Sequence, residues 1–222
     1  RTIDRTLPPW TRPSRVDLPL DEQAEFGTAI GDFYERLYAA RDEPDRPASS
    51  LLDPGNRWNP LLNAISTYIN GAELDRVSMR DLARYHDTEI NWRVVEGYGA
   101  VIASAGASLN VMTDCPVSEI DHSGQMIAVR TRRGVIAARK VIVTVSSALL
   151  AEEHLRFVPA LPEKVEAAAA LPLGLANKLF LSLEGAEEFE ADSRVFGHGR
   201  EAGTASYHMR PFGRPLIEAY FG

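Results

Sequence analysis

Lys178 has the strongest claim to chemistry in this chain. It closes the segment Leu171-Pro172-Leu173-Gly174-Leu175-Ala176-Asn177 and leads into Leu179-Phe180-Leu181, an apolar run that reads as a buried strand. An ammonium drawn out of water needs a partner or a purpose. The plainer role is a lysine at a strand entrance, its stem along the strand and its head in solvent. Other reactive side chains offer less. His86, His122, His154, His198 and His208 are scattered with no short metal-ligand spacing and read as surface or capping residues. Ser146-Ser147 lacks the glycine-flanked turn of a nucleophile and reads as a helix cap, while Glu152-Glu153 and Glu187-Glu188 lie in polar stretches where solvation is the default. Cys115, the single cysteine, cannot form an internal disulfide and reads as a small buried hydrophobe. Gly97-Tyr98-Gly99 opens a helix as a dinucleotide fingerprint does, but the third glycine would fall at Ile102, so a tight turn explains the pair better. No other phosphate-cradling loop is written in these residues, so the phosphates of any nucleotide cofactor must be held elsewhere.

These residues have to be positioned by elements, and the patterning predicts most of them. Asp21 is placed to cap a helix in which Phe26, Ile30, Phe33 and Leu37 form one apolar stripe. Arg41 to Pro54 reads as a loop. Asn59 is placed to cap a helix whose first position is Pro60, with Leu61, Leu62, Ile65 and Ile69 inward and Gly71 as its stop, and Ser78-Met79-Arg80-Asp81 has the spacing of a capping box. From Trp92 the pattern turns to strands. A helix from Ala100 to Leu109 is followed by short strands at 110–113 and 117–120. Asp121-His122-Ser123-Gly124 and Arg133-Gly134 then turn a meander through 126–131 and 135–138. Lys140-Val141-Ile142-Val143-Thr144-Val145 lacks alternation, the pattern of a strand covered on both faces and central to a sheet. Short helices are expected after Ser146 and Pro162, strands at 179–183, 205–209 and 216–221, and a solvated acidic loop from Glu184 to Asp192.

The 222 residues are 45% hydrophobic, enough for one sizeable core or two modest ones, and carry a formal net charge of -7. That charge, with no basic stripe, argues against nucleic acid. No apolar stretch of about 18 residues is present, so a soluble, cytoplasmic protein is expected. The chain opens at Arg1 with the proline-rich Thr6-to-Pro13 segment and ends at Tyr220-Phe221-Gly222 within a strand pattern, which suggests the central portion of a longer protein.

The order Val94-Val95-Glu96-Gly97-Tyr98-Gly99, a helix, Cys115-Pro116-Val117 with the turn at 121–124, Val141 to Val145, Leu161-Pro162 and the Lys178 segment resembles the middle of a flavin-containing amine oxidase. The specific likeness runs from about Trp92 to Leu183. It implies an α+β fold from a two-domain flavoprotein: 1–92 as the helical part of a substrate domain, 93–158 as part of the FAD-binding domain with its meander and buried strand, and 159–222 as the substrate-domain sheet. It implies FAD as cofactor, Val117 as the residue whose main chain meets the adenine, and Lys178 as the lysine that bonds the flavin N5 edge through a water. It further implies a small-molecule amine oxidised to an imine, with dioxygen reduced to hydrogen peroxide. The departures are Ser146-Ser147, where the family usually has a proline, and the absence of both the family's glycine-rich fingerprint and its carboxyl-terminal flavin segment. A related flavin desaturase or porphyrinogen-type oxidase, and a non-catalytic remnant acting as a binding module, are the alternatives.

Overall fold

A computed structural model describes residues 3–4, 19–86, 88, 92–197 and 199–222. In chain order the elements are β1 (Ile3–Asp4), α1 (Leu20–Ala39), α2 (Asn59–Asn70), α3 (Met79–Arg84), β2 (Arg93–Val94), α4 (Tyr98–Gly106), β3 (Val117–Asp121), β4 (Ile127–Thr131), β5 (Gly134–Ala138), α5 (Ser147–Ala151), β6 (Arg156–Val158), α6 (Pro162–Ala169), β7 (Asn177–Ser182), β8 (Ser193–Phe196), β9 (Ser206–Met209) and β10 (Leu216–Phe221). The fold is α+β, as expected. It divides into two compact units, one of Arg1–Val101 with Gly174–Gly222 and the other of Ile102–Leu173. The proline-rich opening and His198 lie outside the described residues. No helix among the described residues is long and apolar enough to cross a membrane.

In the first unit the apolar stripe of α1 does what its spacing predicts. Phe33 and Leu37 are buried with Leu51, Leu62, Leu74 and Met79, and a second cluster joins Ala29 to Trp58, Leu61 and Ala64. Asp21 does not cap α1; Pro19 holds the N-cap position, and Asp21 and Glu22 lie in the first turn, where their charge still opposes the helix dipole. Asn59 does not cap α2 but is its first residue, with Trp58 at the N-cap position; Pro60 follows, and Gly71 ends the helix with φ +73°, a left-handed conformation that glycine adopts without a Cβ penalty. Ile69, expected inward, is exposed; the inward face carries Tyr68 instead. Ser78 caps α3 as its spacing predicts, accepting from the Asp81 N–H at 3.0 Å. The unit's sheet is antiparallel in the order β7-β10-β9-β8, and α2 packs on it with the Tyr68 and Tyr220 rings 5.9 Å apart.

The second unit holds the meander. β3, β4 and β5 are successive antiparallel neighbours, and β6, which the sequence pattern did not indicate, joins β3 in parallel to give the order β5-β4-β3-β6. Ile120, Val129 and Leu155 are buried there. Glu119 is buried too, clamped by Arg130 of β4 at 2.6 Å and by Arg156 of β6; the hydrogen bond from Arg130 holds its carboxyl below the ordinary range. Ser146 caps α5 by accepting from the Leu149 N–H.

Several sequence expectations are corrected. Residues 140–145 form no strand: the segment has no ladder partner among the described residues, and Ile142 is 88% exposed. β-branched composition favours an extended chain, but a strand exists only where a neighbour accepts its N–H and C=O groups. The strand expected at 110–113 is likewise absent; the chain there is irregular, and Asp114 turns through φ +51°. Cys115 is half-buried rather than buried. β7, expected to be buried, is exposed along its length, Phe180 to 61%, because it is an edge strand and no layer among the described residues covers it.

Candidate functional site

The turn that delivers Lys178 is built on two glycines. Gly174 passes so close to Gly71 that a Cβ on either would lie 2.5 or 2.6 Å from the other's Cα, and the Leu175 N–H donates to the Gly71 carbonyl at 2.8 Å. The end of α2 therefore fixes where β7 begins. Asn177 holds the turn's exit by donating its side-chain amide to the Leu175 carbonyl at 3.0 Å.

β7 pairs with β10 in a register that sets Lys178 opposite Tyr220 and Phe180 opposite Glu218. Directly opposed residues share a face, so the row Phe180, Glu218, His208, Arg194 crosses all four strands on the side that also carries Lys178 and Tyr220. Lys178 reaches diagonally along this face. Its Nζ lies 2.5 Å from Glu218 Oε1 and 5.1 Å from the centre of the Tyr220 ring, and its side chain is 49% exposed. The ammonium is thus neither free in solvent nor buried: it is anchored on one side and open on the other.

Glu218 is only 8% exposed. Burial acts to raise its pKa, but the hydrogen bond from Lys178 and the charge of Arg93 outweigh burial and hold the carboxyl below its ordinary value, so it is ionised near neutrality. Arg93, from β2, donates to Glu218 Oε2 through one nitrogen and to His208 Nδ1 at 2.8 Å through another, with its guanidinium 4.9 Å above the Phe212 ring. A guanidinium can only donate, so Nδ1 accepts, and the His208 proton sits on Nε2, 3.0 Å from Asp192 Oδ1. Asp192 is fixed in turn by the Phe212 N–H at 2.9 Å. The result is one continuous chain: Lys178, Glu218, Arg93, His208, Asp192.

His208, read from sequence as a surface or capping residue, is therefore buried and neutral. Burial, then the charges of Arg93 and Arg194, push its pKa from 6.5 to about 4. The unfolded chain takes up a proton below pH 6.5 that the folded site refuses until about pH 4, so stability is complete above 6.5 and is lost as pH falls from there towards 4. The full difference is about 3 kcal/mol. Urea unfolding of the chain and of His208→Gln at pH 7 and pH 4.5 checks this: the wild-type chain should lose more stability than the variant, and an equal loss in both would refute it.

Val117 lies in the other unit. It opens β3 opposite Thr131, next to a bulge, and is 38% exposed. β6 pairs with β3 only from Glu119 to Asp121, so on that side the main chain at Val117 has no strand neighbour among the described residues. Gly97 turns with φ +90° into α4, and no phosphate-cradling loop is formed among the described residues. Each taken by itself, the main-chain edge at Val117 and the oriented ammonium at Lys178 have chemistry that suits a flavin nucleotide. Sequence reasoning singled out these two residues but passed over Glu218, Arg93 and His208; the one local signal was a glutamate interrupting the otherwise apolar Leu216-to-Phe221 strand.

Comparison with known proteins places these features in a family. Residues 5–218 match the family described as flavin containing amine oxidoreductase. Human lysine-specific histone demethylase 2 is 37% identical over 87 residues, 38% of this chain and 11% of that protein. Mouse lysine-specific histone demethylase 1B is 34% identical over 87 residues, covering 38% and 10%. In fold, the chain is similar to a cyclohexylamine oxidase from Brevibacterium oxydans IH-35A, with a TM-score of 0.64 and 19% identity over 91% of this chain and 52% of that one. It is also similar to a redesigned double mutant of putrescine oxidase, with a TM-score of 0.63 and 12% identity over 95% and 54%. The chain spans about half the length of these solved structures and about a tenth of the curated relatives.

Proposed function

The chain belongs to the flavin containing amine oxidoreductases, and from that premise we propose that it is the central portion of an FAD-dependent amine oxidase that converts a small amine to an imine. The unit Ile102–Leu173 is read as part of the cofactor-binding domain and the unit built from both ends of the chain as part of the substrate domain. The observation that carries the reading is the anchored yet half-exposed ammonium of Lys178.

When bound, FAD supplies the redox chemistry: it accepts a hydride equivalent from the carbon next to the amine nitrogen and passes both electrons to dioxygen, which leaves with two protons as hydrogen peroxide. The chain's own contribution is positional and electrostatic. The open main chain at Val117 would hold the adenine edge, with a small β-branched side chain keeping that strand extended. Lys178 would hold an ordered water and place a fixed positive charge where negative charge develops, a role worth most in a partly dry site. The substrate gives up its C–H bond, the nitrogen lone pair closes the C=N bond, one proton passes to water, and the imine hydrolyses to a carbonyl compound and ammonia or a smaller amine.

The amines named for the two structural relatives, cyclohexylamine and putrescine, are the first substrates to offer. With the protein expressed from its complete reading frame and loaded with FAD, a peroxide-coupled assay should yield one hydrogen peroxide for each amine consumed. Amine turnover without peroxide would remove dioxygen as the acceptor. No turnover across primary, secondary and peptide-borne amines would remove the amine oxidase reading.

A further inference from the structure

A lysine on an exposed edge strand does not hold its head still. Its four-carbon stem carries about 2 kcal/mol of rotamer entropy, and a charge useful at one atom must be confined there. Here the confinement comes from β10. Glu218 divides its oxygens: Oε2 faces inward to Arg93, and Oε1 faces outward to the Lys178 ammonium at 2.5 Å. The carboxylate cannot swing away, because Arg93 is tied to His208 at 2.8 Å, His208 to Asp192 at 3.0 Å, and Asp192 to the Phe212 main chain at 2.9 Å. Tyr220, one strand position beyond Glu218 on the same face, puts its ring under the ammonium. A glutamate needed only to neutralise Arg93 would have no reason to present its second oxygen to the edge.

We propose that Glu218 is the positioning residue for Lys178, fixing the ammonium over Tyr220, with Arg93, His208 and Asp192 as the rigid backing. The proposal rests on the reading of Lys178 as the lysine beside the flavin. Charged and titratable groups facing the pair are Arg93 of β2, His208 of β9, Arg194 of β8, Asp192, and the tyrosines Tyr220 of β10 and Tyr68 of α2. With Glu218 removed, the Lys178 stem regains its rotamers and the ammonium is no longer held over the Tyr220 ring.

The test pairs the rate at which dioxygen reoxidises the reduced flavin, followed by stopped-flow absorbance in the FAD-loaded protein, with the placement of the Lys178 ammonium in crystal structures of the same variants. Glu218→Gln should slow the rate about tenfold and leave the Lys178 head spread over several rotamers. Glu218→Asp keeps a charge against Arg93 but withdraws it from Lys178, so it should fold normally and show the same loss even if Glu218→Gln does not fold. In a Lys178→Met background neither substitution should change the rate further. Wild-type rates and an unmoved Lys178 ammonium in both Glu218 variants, with Lys178→Met slow, would overturn the positioning role and leave the Lys178 reading standing. A wild-type rate in Lys178→Met would overturn both.

Discussion

Lys178→Met is expected to slow the flavin's redox cycle by roughly 100-fold, the cost of deleting one preorganised donor from a site where charge develops. Methionine keeps the length and apolar stem of the side chain, so β7 keeps its register with β10, from Asn177 opposite Phe221 to Ser182 opposite Leu216. The folding cost should be small, because the Lys178 head is half in solvent and its pair with Glu218 is partly screened. Rapid-mixing absorbance of the FAD-loaded protein separates reduction by amine from reoxidation by dioxygen, and the larger loss should fall on reoxidation. Unchanged rates in both half-reactions would contradict the role given to Lys178.

Gly71→Val should be the most destabilising single change near the site. Gly71 has φ +73°, a conformation that costs an L-residue roughly 1–2 kcal/mol. A Cβ there would also lie 2.5 Å from the Gly174 Cα and 2.9 Å from the Leu175 nitrogen, main-chain atoms that cannot turn aside. Overpacking of this kind adds roughly 1–3 kcal/mol, for a total of about 4 kcal/mol. Because the Gly71 carbonyl also accepts from the Leu175 N–H, the strain falls on the turn that starts β7. Urea denaturation should show the loss, and any folded variant should lose Lys178-dependent rate as well. Wild-type stability would mean that the close approach of Gly71 and Gly174 is not needed.

What the sequence made legible was local. The stripe of α1, the proline and glycine that bracket α2, the Ser78 cap and the two meander turns are written in residues a few positions apart, and each formed as expected. The Lys178 turn was legible for the same reason, although its glycine is explained by Gly71, about a hundred residues away in the chain, and not by the turn alone. The rest of the site depends on register. His208 looks like any surface histidine until β9 places it beside Glu218 of β10 and Arg93 arrives from β2. Composition misled where a partner was required: 140–145 has the residues of a central strand and no ladder to join, and β7 has those of a buried strand at an exposed edge.

The central claim is that this chain works on an amine with a flavin beside Lys178. The most direct measurement is the visible spectrum of the protein from its complete reading frame, purified, loaded with FAD and then given amine without oxygen. The account predicts that the flavin bands survive gel filtration, bleach when amine is added, and return on admitting air with release of hydrogen peroxide. A protein that holds no flavin, or whose bound flavin stays oxidised with every amine offered, would contradict it.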